Sequence, residues 1–190
     1  MSAVRIPVVA VVGSAGRVSR EVESAAANLG RLVMEHGYRL ATGGLDGVMA
    51  AASRGARGSD AWSDGRVLGV LPSYDRGTAN RWCDLVIPTG AQLARNITLV
   101  AMADAVVALA GGAGTLSELA LAWQLGKPIV AVRGLGGWAD ELAGRALDER
   151  HERPIHAADS PTDAMEVIVE WVNGTRSEPG AIGSGWRRGE

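Results

Sequence analysis

One thiol, Cys83, is all the cysteine this 190-residue chain contains. A lone cysteine supports neither an intrachain disulfide framework nor a thiolate zinc site. Long apolar runs are missing as well, since no stretch approaches the roughly 18 uninterrupted apolar residues of a membrane helix. The opening MSAVRIPVVAVVG has one arginine before a short apolar run and no cleavage-like site after it, unlike a secretory leader. The expectation is a cytoplasmic protein with no membrane partner, in which the sequons at Asn96 and Asn173 are without meaning for glycosylation. Nor is there an excess of either charge: 19 basic residues stand against 21 acidic ones, a net of −2. That balance argues against a nucleic-acid partner, which calls for a basic surplus.

What is present describes a folded globular chain. Hydrophobic residues make up 47% and charged residues 21%, ordinary for a domain and wrong for disorder. A chain this long can bury roughly 70% of its unfolded surface without a metal or disulfide staple. The 26 glycines are too many for a helical bundle and lack collagen's period, so they belong in turns. Residues 1–173 read as one domain, and the Gly-, Ser-, Arg- and Pro-rich stretch 174–190 as a flexible C-terminal tail.

Short β-branched runs alternate with longer amphipathic stretches, the pattern of a doubly wound, mostly parallel α/β sheet with helices on both faces. Strands are expected at 6–12, 38–42, 67–71, 84–87, 105–109 and 129–132, with a last edge strand at 155–157. Helices are expected from Ser19 as N-cap to about His36, and at 45–57, 91–102, 115–125, 138–147 and 161–171, the last with Ser160 as N-cap and Pro161 at its first position. Residues 73–83 read as a surface loop. The layering is Rossmann-like.

In such sheets ligands sit beyond the carboxyl ends of the strands, at a switch point. Three glycine-rich segments follow strands and precede helices: Gly13-Ser14-Ala15-Gly16, Gly43-Gly44-Leu45-Asp46-Gly47 and Gly111-Gly112-Ala113-Gly114-Thr115. All three are expected on one rim. Glycines admit an anion close to the backbone, and the N–H groups of the next helix point at it. Thr115 reads as a hydroxyl donor at the cap position, and phosphate is the natural ligand. Each segment alone could be a tight turn and nothing more; three together favour a ligand.

Glu118 lies one turn after Thr115 on the same helix face. Its spacing suits a capping box and equally a carboxylate facing a ribose hydroxyl or a water to be activated. Arg95 is either a surface residue or an inward one paired with phosphate or Glu118. Other motifs fail. Gly126-Lys127 is followed by proline, so there is no Walker A, and Gly13-x-x-Gly16 lacks the full dinucleotide fingerprint. His151-Glu152 is followed by His156 one residue too late for a zinc-protease helix, and these histidines read as a solvated loop. The six tryptophans spell no cage, and most read as core or interface.

Four stretches in order carry a resemblance: Thr42-Gly43-Gly44-Leu45-Asp46-Gly47-Val48-Met49, Thr89-Gly90 leading to Ala94-Arg95-Asn96, Ala103-Asp104-Ala105, and Gly111 to Glu118. Across about residues 6–172 the chain resembles the SLOG superfamily, which unites the Lonely Guy phosphoribohydrolases with the DprA/Smf proteins. Some of its members carry the label "possible lysine decarboxylase". The branch similar to molybdenum cofactor carrier protein is nearest. The Lonely Guy signature P-G-G-x-G-T-x-x-E falls on Ala110 to Glu118, with Ala110 in place of proline. Its R-K pair falls on Arg95-Asn96, with asparagine in place of lysine.

The resemblance implies a nucleoside 5′-monophosphate phosphoribohydrolase, releasing base and ribose 5-phosphate, with Arg95 and Glu118 as the catalytic pair. It implies that Gly112, Gly114 and Thr115 hold the phosphate and that Gly44 and Met49 belong to the pocket wall. Gly13, Ser14, Gly43, Gly47, Gly111 and Asn96 complete the candidate binding set. No metal ligand and no catalytic cofactor are expected, and a homodimer or higher homo-oligomer is implied. The carrier branch implies an alternative, a binder of a phosphorylated ligand with molybdenum cofactor as cargo. A DNA-processing role fits poorly with the net charge of −2.

Overall fold

A computed structural model of the chain describes residues 5–149 and 154–174. Seven strands, β1 (Val8–Gly13), β2 (Arg39–Thr42), β3 (Val67–Leu71), β4 (Leu85–Pro88), β5 (Ala105–Leu109), β6 (Ile129–Val132) and β7 (His156–Ala158), form one sheet. Every pairing is parallel, and the order is β4-β3-β2-β1-β5-β6-β7. The chain builds outward from β1 to β4, then returns to lay β5 on the other side of β1. The α/β Rossmann-like architecture read from the alternation is the one observed.

Six helices cover the sheet: α1 (Arg20–Glu35), α2 (Val48–Arg57), α3 (Arg95–Met102), α4 (Ala113–Gln124), α5 (Gly137–Leu142) and α6 (Pro161–Val172). Successive strand residues point to opposite faces, which sorts the core into two layers. Val9 and Val11 pack with Leu29 and Val33 of α1, Ala52 of α2 and Ile168 of α6. Val8, Ala10 and Val12 pack with Leu99 of α3, Leu119 and Trp123 of α4 and Leu142 of α5. The chain has no phenylalanine, so both layers close almost entirely with aliphatic side chains, and among the described residues four aromatics, Tyr38, Trp62, Trp123 and Trp171, join them.

Local chemistry sets the helix starts. Ser19 has an extended backbone, and its hydroxyl accepts from the Val22 amide at 3.2 Å; Ser160 does the same for the Asp163 amide at 3.1 Å, with Pro161 opening α6. Several expected boundaries move, three of them by more than two residues or through a break in the helix. Gly47 sits at φ 68°, so Leu45–Gly47 form a turn and α2 starts at Val48, not at residue 45. Gln92 at φ 50° splits the helix expected over 91–102 into a 3-10 turn, Gln92–Ala94, followed by α3. The helix expected to reach residue 147 stops at Leu142, where the chain turns and the Gly144 amide donates to the Ile155 carbonyl at 2.9 Å.

His156 is not in a loop but on β7, its ring edge-on to Trp171 at 6.1 Å. His151, Glu152, Trp186 and the tail from 175 onward lie outside the described residues. Among the described residues no helix is long and apolar enough to cross a membrane.

β3 and β4 are parallel neighbours joined without an α-helix, through residues 72–84 and a short 3-10 turn at Arg76–Thr78. Asp84 closes that connection. Its fully buried carboxylate accepts from Trp62 Nε1 at 3.1 Å and from the amides of Arg66 and Val67 at 3.0 and 2.9 Å, and it is paired with Arg57. Removing it orphans two backbone donors and an indole in a dry site. Asp84→Ala is therefore expected to cost about 3 kcal/mol in urea unfolding with an unchanged m value.

Candidate functional site

Reversal of the strand order between β1 and β5 leaves their carboxyl ends uncovered, the switch-point geometry of doubly wound sheets. Around it lies a cavity of about 380 Å³. Its floor is Val11 and Val12 of β1. The end of β1 contributes Gly13 and the loop after it Ser14 and Ala15, the β2–α2 segment Gly43, Leu45 and Met49, and the β5–α4 segment Gly112, Gly114, Thr115 and Glu118. Leu93, Arg95 and Asn96 close it from the start of α3. All three glycine-rich segments thus meet on one rim, because β2, β1 and β5 are consecutive in the sheet.

Backbone and hydroxyl contacts hold these loops to one another. Ser14 Oγ accepts from the Gly111 amide at 3.0 Å, and the Ser14 carbonyl accepts from the Val48 amide at 3.0 Å. Thr42 Oγ1 accepts from the Gly44 amide at 3.1 Å. The carbonyls of Ala110 and Gly111 accept from the amides of Ala139 and Trp138 at 2.9 and 3.0 Å, which fastens the β5 loop to α5.

Thr115 is not the cap of α4. The N-cap is Gly112, which offers no side chain, and Thr115 sits inside the first turn with its side chain buried. The capping-box explanation of Glu118 falls with it. The consequence is chemical: the first-turn amides of α4 have no side-chain partner, and the turn carries no acidic residue. They face a cavity, and such a helix end favours an anion.

Arg95 opens α3 and turns inward, its guanidinium Nη1 3.4 Å from Glu118 Oε1. Glu118 is 5% exposed. Burial pushes its carboxyl up to about 7, more than the neighbouring Arg95 charge pulls it down. Burial likewise lowers Arg95, against the opposing effect of Glu118. Desolvation therefore outweighs mutual attraction for both partners. Gly43 makes room for the pair: a Cβ there would lie 2.3 Å from Arg95 Nη1 and 2.6 Å from Met49 Sδ. Asn96 is buried beside Arg95, its Nδ2 3.4 Å from Ser117 Oγ.

Of the candidate residues, Gly13, Ser14, Gly43, Met49, Arg95, Asn96, Gly112, Gly114, Thr115 and Glu118 line the cavity, whereas Gly44, Gly47 and Gly111 stand behind its wall. Gly44 packs on Gly69 and Leu71, Gly47 on the 14–16 loop, and Gly111 beneath Thr115. Leu45 and Leu93 line the cavity without having been singled out from the sequence. Leu45 lay inside a flagged segment; Leu93 carries no sequence signal.

Ala110, at φ 51°, is a non-glycine residue in the left-handed region just before the anion-facing loop. A proline, whose φ is held near −65°, cannot adopt that conformation, so the Ala110 backbone departs from what the P-G-G signature would require. Ala110→Gly is expected to stabilise the protein by about 0.5–1 kcal/mol and Ala110→Pro to destabilise it by about 3 kcal/mol or more, read from urea midpoints.

Glu118 also predicts a pH dependence. The folded protein holds a proton there up to about 7, whereas the unfolded chain releases it near 4.5. The native state therefore binds the extra proton, and stability falls as pH rises across that window. Urea midpoints measured from pH 4.5 to 7 should fall less steeply in Glu118→Gln than in the wild type.

The model of the SLOG cluster4 family matches residues 6–165. The cytokinin riboside 5′-monophosphate phosphoribohydrolase of Mycobacterium tuberculosis is 32% identical over 178 residues, spanning 85% of this chain and 92% of its own. Among solved structures, the molybdenum cofactor binding protein of Rippkaea orientalis superposes with a TM-score of 0.76 at 31% identity, covering 89% of this chain and 99% of that one. The molybdenum cofactor carrier protein of Chlamydomonas reinhardtii gives 0.74 at 28% identity, covering 88% and 99%.

Proposed function

Since the chain belongs to the SLOG cluster4 family, we propose that its cavity binds a nucleoside 5′-monophosphate and hydrolyses the N-glycosidic bond. The observation that carries this reading is the buried Arg95–Glu118 pair set opposite the uncapped start of α4 in a single cavity. The phosphate sits against the first-turn amides and Thr115, where helix end and hydroxyl supply donors without a competing carboxylate. Arg95 supplies the countercharge that Glu118 alone does not satisfy.

Cleavage of the C1′–N bond builds positive charge on the ribose, which a carboxylate beside it stabilises. Glu118 in its ionised form takes a proton from the attacking water as the oxygen bonds to C1′, and the departing base nitrogen is protonated in turn. A carboxyl near neutrality suits that role, because it is basic enough to accept the proton and still ionised at working pH. The 32% identity to the M. tuberculosis phosphoribohydrolase supports the same reaction class.

A second reading has support of its own. The similar solved structures include a molybdenum cofactor binding protein and a molybdenum cofactor carrier, and Asn96 stands where the hydrolase signature has lysine. In this reading the same cradle holds the phosphate of a pterin-like cargo and releases it unchanged.

Chromatography of free base after incubation with a panel of nucleoside 5′-monophosphates separates the two. Hydrolysis predicts base release by the wild type, a loss of about a thousandfold or more in Glu118→Gln, and a kcat that climbs with pH across the neutral range. No release from any nucleotide, together with thermal stabilisation by a phosphorylated pterin, would establish the carrier instead.

A further inference from the structure

A methionine sulfur stands beside the charged pair. Gly43 has no side chain, and three atoms converge on the space this leaves. A Cβ there would lie 2.3 and 2.6 Å from Arg95 Nη1 and Nη2, and 2.6 Å from Met49 Sδ. Met49 is the second residue of α2 and lines the cavity. It is 4% exposed, and the cavity of about 380 Å³ in front of it admits a small solute.

The other described methionines are placed differently. Met34 and Met165 are sealed in the core layer of α1 and α6, each at 1% exposure. Met102 packs, half-buried, at the end of α3. None of the three borders the cavity.

Arg95 and Glu118 are the only charged side chains in the cavity lining among the described residues. The Arg95 guanidinium carries five N–H donors, and its one hydrogen-bond partner among the described residues is Glu118 at 3.4 Å. Most of those donors are unmet in a partly buried site. The thioether does little for them, because its sulfur is a weak acceptor. A sulfoxide at the same place is polar and presents an oxygen that accepts.

We propose that Met49 is a modification site: hydrogen peroxide entering the cavity oxidises its thioether to the sulfoxide, and the new oxygen draws Arg95 away from Glu118. A sulfur lone pair attacks one peroxide oxygen, and the S–O bond forms as the O–O bond breaks. The departing hydroxide takes the proton left on the sulfur-bound oxygen and leaves as water. Sulfur is oxidised by two electrons and the peroxide is reduced by two. Arg95 assists by donating to the departing hydroxide, since a fixed donor at developing negative charge lowers the barrier. The sulfoxide oxygen then accepts from the same guanidinium, and Glu118 stays buried without its partner. Both readings of the cavity, hydrolase and carrier, are compatible with this step, which involves the pair alone.

Peptide mass mapping of the full chain during peroxide treatment tests the site. Met49 should gain one oxygen at least about tenfold faster than Met34 and Met165. In Arg95→Gln its rate should fall roughly threefold or more while Met102 keeps its own. Carbon NMR titration of the glutamate carboxyls, with Glu118→Gln identifying the signal, reads the consequence. Peroxide should move the Glu118 titration upward in the wild type, because without the guanidinium nothing opposes the effect of burial. The same treatment should leave that titration in place in Met49→Leu. Met49 oxidising no faster than Met34 and Met165 would overturn the site, as would unfolding on its oxidation, read by circular dichroism. An unchanged Met49 rate in Arg95→Gln, a Glu118 titration that stays put, or an equal shift in Met49→Leu would overturn its link to the pair.

Discussion

Everything about the site depends on the chain returning to the sheet on the far side of β1. An all-parallel sheet sends every strand-to-helix turn to one edge. The order β4-β3-β2-β1-β5-β6-β7 then makes α1 and α2 depart over one face while α3, α4 and α5 take the other. At the seam between β1 and β5 the two sets of turns diverge. The opening between them is the cavity, and three glycine-rich loops line it because their strands are neighbours. Hydrogen bonds from Gly111 to Ser14 and from Val48 to Ser14 hold the loops together across that seam.

Within this opening, burial and charge are left in deliberate imbalance. A carboxylate and a guanidinium 3.4 Å apart would ordinarily settle each other, yet desolvation dominates both. Buried ion pairs cost more than they return unless their remaining hydrogen-bonding capacity is met. Here that capacity faces the cavity and the bare amides of α4.

Membership of the SLOG cluster4 family leaves the chemistry of this member to particular positions. Asn96 removes the second cation of the R-K pair. Ala110 adopts a backbone angle that the signature proline cannot reach. Asn96 lies on the cavity and Ala110 immediately behind it.

Much of this was legible in the residues alone. Near-continuous apolar, β-branched runs marked the strands, β3 at Val67–Leu71 among them, and serine caps marked the starts of α1 and α6. Glycine clusters after strands marked the rim, since little else tolerates the backbone those turns need. The sequence misled where a single dihedral decided the outcome: Gly47 delayed α2, Gln92 broke the helix ahead of Arg95, and Gly112 displaced Thr115 as the cap of α4. By itself, then, the sequence determined the α/β layering, the glycine-rich rim and the residue types available there, because these follow from local propensity and periodicity. Only the tertiary structure decided that Arg95 turns inward onto Glu118, that the carboxyl is desolvated enough to titrate near neutrality, and that Leu93 stands bare at the cavity. Those properties arise from atoms brought together across distant segments, and no local pattern encodes such distances.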